Sequence, residues 1–458
     1  MSNPVLLWFR QDLRLSDQAA LIAAAQEGAV IPVYILDDEA PRQWAMGGAS
    51  RWWLHHSLTR LDAALREKGS RLILRRGKSA QILAELAQET GAHRVHALHH
   101  YEPWWRNVEK GVAKALDLVL HDGALLLPPG AVRTGAGGAY RIYTPFSRAV
   151  LEHMPPPTPR PAPAHIAAPA NWPASDMLDQ WRLVHTKPDW ATGFATDWTP
   201  GEAGALANLD AFVDETGEYP VARNLPSVEG TSRLSPHLHF GEISPATVWH
   251  SVAASGHDAT IFLKELIWRD YAHVQICQMP TYGSANARDQ FDALPWRDLR
   301  EAGSDFAAWK AGRTGYPIVD AGMRQLWTTG WMHNRVRMIA ASFLIKHLLV
   351  DWRHGATWFW DTLVDASYAN NSVNWQWVAG SGVDANMFVR IMAPLTQSEK
   401  FDAAAYIRTW VPELARLPDH AIHDPETHGL RPRDYPARII GHREGRERAL
   451  EAYKRIKQ

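Results

Sequence analysis

The 458-residue chain has a single cysteine, Cys277. That excludes an intramolecular disulfide framework, a cysteine-ligated zinc finger and a four-cysteine iron–sulfur cluster. Net charge is nearly absent too: 48 Lys and Arg stand against 49 Asp and Glu, leaving −1 at pH 7. No strongly basic or acidic tail dominates, although a local basic patch can sit inside a neutral total. Long apolar runs are missing. No stretch reaches the roughly 18 apolar residues of a membrane span, and the opening MSNPVLLWFRQDLR lacks the order of a secretory signal. There is no GxGxxG after the first apolar run, and GGAS at 47–50 is too weak to replace it. No repeat recurs at a period of about 20–50 residues. The expectation is a soluble, monomeric protein of a reducing compartment, the cytoplasm, with no membrane contact and no bound metal.

What the chain has in excess is tryptophan: 22, against 12 Tyr and 12 Phe. An indole is bulky and needs a partner for its N–H when buried, so packing alone rarely asks for so many. Ten of the 22 lie between Trp268 and Trp377, which makes that window the first place to look for a site.

Length suggests two or three domains at roughly 150 residues each. In residues 1–130, apolar runs at 5–9, 30–36, 72–74, 95–98 and 118–120 alternate with helical patterns at 17–26, 50–68, 79–89 and 108–116. Such alternation predicts a doubly wound, Rossmann-like parallel sheet covered on both faces, with ligand contacts at the carboxyl ends of its strands. Asp37, Asp38 and the 99–105 segment fall there. Residues 131–200 read as a connector, because 155–173 alone holds eight prolines. It either wraps the surface in an extended form or is a disordered spacer. From 201 to 458 helical patterns follow one another at 203–216, 245–254, 260–277, 317–329, 334–349 and 355–364, predicting a large all-helical domain.

Four constellations stand out. At helical spacing Glu265, Trp268 and Arg269 share a face, which suits a flat ligand with polar edges; a surface ion pair beside a core Trp would look the same. Asn334 and Met338 share another face, flanked by Arg335 and Arg337; Arg offers forked donors to phosphate and Asn a donor–acceptor pair to a base edge, though an ordinary helix start is also consistent. Between Asp365 and Trp377 come Asn370, Asn371, Asn374 and Trp375. Asn competes with helix backbone bonding, so a polar, aromatic ligand site explains them better than a plain helix interior. Thr231, Ser232, Arg233, Leu234 and Ser235 make a possible phosphate cradle, or merely a helix cap.

In this order, together with the N-terminal WFRQDLR, the four segments resemble the DNA photolyase/cryptochrome family of flavoproteins, most closely a class I or class III cyclobutane pyrimidine dimer photolyase. The resemblance implies an α/β antenna domain, a long connector and a helical domain holding FAD. It implies that Tyr219, the 231–235 cradle, Phe262, Arg337, the Asp365–Ala366–Ser367 segment and Asn371 face FAD, with Ser367 where many relatives carry a second Asp. Glu265, Trp268, Arg269, Asn334, Arg335, Met338, Trp377 and Gln397 match positions around a flipped pyrimidine dimer, with Arg223 on DNA. Glu265 and Asn371 carry the catalytic roles in this resemblance, steadying the dimer and the reduced flavin. Trp375 and Trp352 match the first two members of an electron-hopping chain; the usual third position falls on Leu299, with Trp296 and Trp360 as candidates to replace it. Glu102, Trp104 and Trp105 fall near an antenna site. The antenna expected is 5,10-methenyltetrahydrofolate, with 8-hydroxy-deazaflavin or an empty site as alternatives. The implied activity is light-driven repair of UV-damaged DNA by electron transfer from reduced FAD. A (6-4) photolyase would need His pairs where Asn334 and Met338 stand, and a cryptochrome photoreceptor is the remaining alternative.

Overall fold

A computed structural model of the chain describes residues 3–184, 189–385 and 387–456. Five strands form one parallel sheet: β1 (Val5–Phe9), β2 (Val30–Leu36), β3 (Ile73–Arg76), β4 (Arg94–Leu98) and β5 (Asp117–His121), in the order β3-β2-β1-β4-β5. Every residue of β1 and β2 is buried, as unbroken Val/Ile/Leu runs require when helices cover both faces. Val5 pairs with Val30 on one side and Leu6 with Val95 on the other. Chain order therefore reverses between β1 and β4, and the loops leaving these two strands diverge. A crevice opens at such a switch point.

Helices Ala19–Glu27, Gly48–Glu67, Ser79–Thr90 and Pro103–Val112 complete this layer. The last begins five residues before the expected 108. Pro103 sits in its first turn, where a fixed φ is preorganised and a missing N–H costs nothing. Residues 155–173 form no helix or strand, yet they are held: Asp17 N donates to Arg160 O at 2.7 Å, Ile166 N to Lys68 O at 2.9 Å and Val30 N to Ala167 O at 2.9 Å. The segment is thus an extended strap on the α/β layer, not a free spacer. An earlier part of the 131–200 stretch behaves differently. It forms the helix Tyr143–Leu151, whose Phe146 and Val150 join the core of the helical half.

Beyond residue 200 the described residues contain no strand. The main helices are Glu202–Glu215, Pro245–Ala253, Thr260–Gln278, Pro317–Thr329, Asn334–Ser342, Trp352–Thr362 and Tyr368–Ala379. The expected helix over 334–349 runs as Asn334–Ser342 and then widens without a break into a π turn, Phe343–His347. This turn carries Lys346, fully buried, whose Nζ donates to Ala379 O at 3.3 Å and Phe388 O at 3.0 Å. A buried amine needs hydrogen-bond partners, and these two lie outside its own helix. No helix of the described residues is long and apolar enough to cross a membrane.

The two halves meet closely. Leu13 N donates to Phe240 O at 3.0 Å, Arg14 reaches Gly241 O at 3.0 Å, and Glu202 accepts from Leu15 N at 2.8 Å and Ser16 N at 2.9 Å. Gly241 adopts φ +64, and a Cβ there would lie 2.2 Å from Gln11 O. Only glycine fits both demands.

Candidate active site

A cavity of about 600 Å³ opens at this junction, within the usual range for cofactor sites. Gln11, His100, Tyr101 and Glu102 wall it from the switch point of the sheet, Ala124 and Leu125 from the chain after β5, and the helical half supplies the rest. Of the expected strand-end contacts, residues 100–102 of the 99–105 segment reach it and the aspartates do not. Asp37 instead accepts from Ser79 N at 2.8 Å and Ala40 N at 3.0 Å, while Asp38 pairs with Arg51 at 2.6 Å.

The Thr260–Gln278 helix brings Phe262, Glu265, Trp268, Arg269 and His273 to the wall. Their spacing of three and four places them on one stripe. Glu265 Oε1 lies 2.7 Å from Arg223 Nη2. Burial raises the pKa of Glu265, opposed by the Arg223 and Arg335 cations. Arg269 lines the cavity while bonding inward. Its guanidinium donates to Ala124 O at 2.7 Å and Leu238 O at 3.2 Å, so those donors are committed to backbone carbonyls inside the protein. Phe262 packs between Phe212 at 4.6 Å and Tyr219 at 5.2 Å.

Gly330, at φ +68, ends the Pro317–Thr329 helix, and the His333 side chain caps the next by accepting from Arg335 N at 3.3 Å. That start aims Asn334, Arg335, Arg337 and Met338 at the cavity. Arg335 donates to Asn224 Oδ1 and lies 4.6 Å above the Phe401 ring. Arg337 makes a bidentate pair with Asp365, at 3.0 and 2.9 Å. Burial acts to raise the Asp365 pKa, but the Arg337 charge, its hydrogen bonds and that of the Ser235 hydroxyl outweigh burial and hold it low.

Asn370, Asn371 and Asn374 do lie within a regular helix, Tyr368–Ala379. Ser367 caps its start and Gly380, left-handed, ends it. Asn374 Nδ2 donates back to Asn370 O at 2.8 Å, and Asn371 Nδ2 to Ala356 O at 3.0 Å. The competing side-chain bonds are thereby accommodated without breaking the helix, and all three residues line the cavity. Trp375 and Trp377 line it as well, as do Asp365, Ala366 and Ser367. Thr231, Ser232, Leu234 and Ser235 contribute to the same wall. Arg233 does so with its guanidinium held between Trp198 at 4.1 Å and Trp331 at 4.6 Å.

Six expected residues are not in the wall. Trp352 is fully buried, with its Nε1 donating to Asn286 Oδ1 at 3.0 Å. Gln397 lies in the short Pro394–Lys400 helix. The antenna trio is split: Glu102 faces the cavity, Trp104 packs edge-on to Tyr368 at 5.1 Å, and Trp105 packs edge-on to Trp8 at 6.0 Å. On the helix starting at Pro103, Trp104 and Trp105 point about 100° apart. Trp360 donates to Ala45 O at 2.8 Å and meets Trp44 edge-on at 5.5 Å; Trp296 packs on the helical core.

Sequence reasoning missed Gln11, His239 and His273. The signals were available: Gln11 follows β1 at the switch point, and His273 continues the 265, 269 stripe by four. Gln11 Oε1, Glu102 Oε2, Arg223 Nε and Arg335 Nε are buried and without a hydrogen-bond partner among the described residues. Buried polar atoms are rarely left so, so a polar ligand is what this wall fits. Hydroxyls and Arg at 231–235, aromatic faces and a central Asp–Arg pair suit a dinucleotide with flat rings and an anionic centre. FAD meets that description.

The family model for DNA photolyase matches residues 5–164, and that for the FAD-binding domain of DNA photolyase matches 262–455. The chain is 47% identical to a deoxyribodipyrimidine photo-lyase of Agrobacterium fabrum (strain C58 / ATCC 33970), covering 99% of this chain and 98% of that protein. It is 35% identical to cryptochrome-2 of Arabidopsis thaliana, over 93% of this chain and 73% of the relative. A bacterial class III photolyase from Agrobacterium tumefaciens superposes with a TM-score of 0.95 at 47% identity, covering 100% of this chain and 98% of that one. The helical half is an FAD-binding domain, and the chain belongs to the DNA photolyase/cryptochrome family.

Proposed function

We propose that the protein is a deoxyribodipyrimidine photo-lyase, a carbon–carbon lyase that repairs cyclobutane pyrimidine dimers in UV-damaged DNA under light. One observation carries the reading beyond family membership. Glu265, Trp268, Asn334, Met338 and Trp377 converge on one cavity with Arg337, Asp365 and Asn371, so residues suited to a flipped base pair and residues suited to a flavin share a wall.

Photolyases are a recognised case of base flipping, with extrusion costing a few kcal/mol, least for a damaged base. Trp268 and Trp377 can each return about 1–3 kcal/mol by stacking. Arg223 and Arg335 stand beside the cavity to add the salt-dependent phosphate attraction. The 231–235 cradle, the Arg337–Asp365 pair and Asn371 would hold FAD, which when reduced would supply reversible, light-driven one-electron donation. Glu265, held by Arg223 at 2.7 Å, is placed to hydrogen-bond the dimer's polar edge as charge develops there. The Arg337–Asp365 pair holds a neutral, fixed dipole in the FAD-facing wall, and Asn371 adds a dipole without net charge.

The reduced protein should restore thymine absorbance in irradiated DNA under near-UV or blue light. Bound, reduced FAD without light-dependent repair would overturn the reading in favour of a photoreceptor. Glu265→Ala should lower repair per absorbed photon by roughly two- to tenfold, the worth of one hydrogen bond, with FAD content unchanged; loss of FAD instead would remove Glu265 from the substrate side. For the antenna we retain 5,10-methenyltetrahydrofolate. The absorption spectrum of the purified protein separates it from 8-hydroxy-deazaflavin, from an empty site, and from a second flavin such as the archaeal photolyase of Sulfolobus tokodaii holds.

A further inference from the structure

The stretch between the two halves contributes more than length. Its helix Tyr143–Leu151 lies against the Thr260–Gln278 helix, and Tyr143 meets Trp268 face to face. The ring centroids are 3.6 Å apart and the planes differ by 7°. Two further bonds fix the tyrosine. Its hydroxyl donates to Lys264 O at 2.9 Å, one turn before Trp268 on the same helix, and its backbone N donates to Asp384 Oδ2 at 2.8 Å. Tyr271 closes the cluster edge-on, 5.4 Å from Trp268 and 5.7 Å from Tyr143.

An indole has two faces. Tyr143 covers one, while Trp268 also lines the cavity. A half-buried Trp with nothing behind it would exchange rotamers and lose ordering entropy on each binding event. With a ring clamped behind it at van der Waals distance, its plane is set before the ligand arrives. We propose that Tyr143 is a positioning residue for dimer recognition, holding the plane of Trp268 so that its free face is ready to stack on an extruded base. The inference rests on the proposed function, in which Trp268 is a stacking surface.

The test is equilibrium binding of FAD-loaded protein to a duplex with one thymine dimer and to the same duplex undamaged, at several salt concentrations. Tyr143→Leu should reduce the preference for the damaged duplex by about three- to tenfold, the worth of an aromatic pair. FAD per chain and the salt slope should stay unchanged, since neither depends on the Trp268 plane. Tyr143→Phe, which keeps the ring, should restore the preference. In a Trp268→Ala background Tyr143→Leu should have no further effect, because the partner it acts through is gone. An unchanged preference in Tyr143→Leu, or a full effect in the Trp268→Ala background, overturns the inference. If Tyr143→Leu does not retain FAD, Tyr143→His reads the same dependence, with a preference expected between wild type and Trp268→Ala and a wild-type value counting against. Failure of the functional reading looks different: Trp268→Ala would then leave the preference untouched, or the wild-type protein would show none.

Discussion

Two side chains in the cavity wall depend on neighbours that leave no slack. Gly355 is one such neighbour: a Cβ there would lie 2.2 Å from Trp375 Cη2 and 2.6 Å from Leu344 Cδ2. Gly355→Ala should therefore cost about 1–3 kcal/mol by overpacking and displace Trp375, read as a lower melting temperature and slower photoreduction of the bound flavin. Arg337 is the other. Its pair with Asp365 is largely buried, and removing one partner of such a pair costs about 3–5 kcal/mol. Because the folded Asp365 pKa is held below its ordinary value, its contribution is present above the unfolded pKa and lost as pH falls through the folded one. Arg337→Gln should unfold at a higher pH than wild type in an acid titration, and retain less FAD. Glu265 and Trp268 were legible in the sequence because spacing along one helix decides which residues share a face. Tyr143 was not, since its partner lies 125 positions away and nothing local marks it.

At the scale of single elements, the Thr260–Gln278 helix does two jobs at once. One stripe faces the cavity, while Asp270 points elsewhere and accepts from Leu127 N at 3.0 Å, tying the helix to the chain that leaves the sheet. Burial pushes the Asp270 carboxyl up to about 7, against the opposing pull of Arg269 and the backbone amides. A raised folded pKa means that the native state keeps a proton which an unfolded aspartate, near 3.9, gives up. The contribution of Asp270 to stability is therefore fullest below about pH 4 and is lost as pH rises through 7. Asp270→Asn should flatten that fall; a melting-temperature series from pH 5 to 8 measures it. The helix itself was read to within one residue from its pattern. Two other elements were not. The 334–349 helix widens into a π turn whose Lys346 bonds carbonyls of distant chain, and the 368–379 helix accommodates Asn371 through its bond to Ala356 O. Both outcomes turn on tertiary partners, which local propensity does not contain.

Over the whole molecule, the alternation of apolar runs and helices was enough to read the parallel sheet, since buried parallel strands must be continuously apolar. It was not enough to locate the contact between halves. That contact turns on Gly241, whose backbone conformation and proximity to Gln11 O exclude a side chain. Gly241→Ala should force the layers apart, lower the melting temperature and weaken FAD retention, because Gln11, His100 and Glu102 would shift together; a variant with wild-type FAD affinity would contradict this. The tryptophan excess was a sound alarm and a coarse pointer. Trp268, Trp375 and Trp377 reach the cavity, whereas Trp8, Trp53 and Trp309 are among the largest fully buried side chains.

The cavity wall is drawn from both halves, Gln11 and His100–Glu102 on one side and the helices on the other. Such a wall turns a bound molecule into a rivet. Every contact it makes with both sides adds to the energy needed to part them, so occupancy should raise the cooperativity of unfolding as well as its midpoint. It should also make exchange slow, because a rivet leaves only when the plates separate. Release of the bound molecule should then carry the steep temperature dependence of a partial unfolding event, and heating the apo form should reveal two transitions where the loaded form shows one.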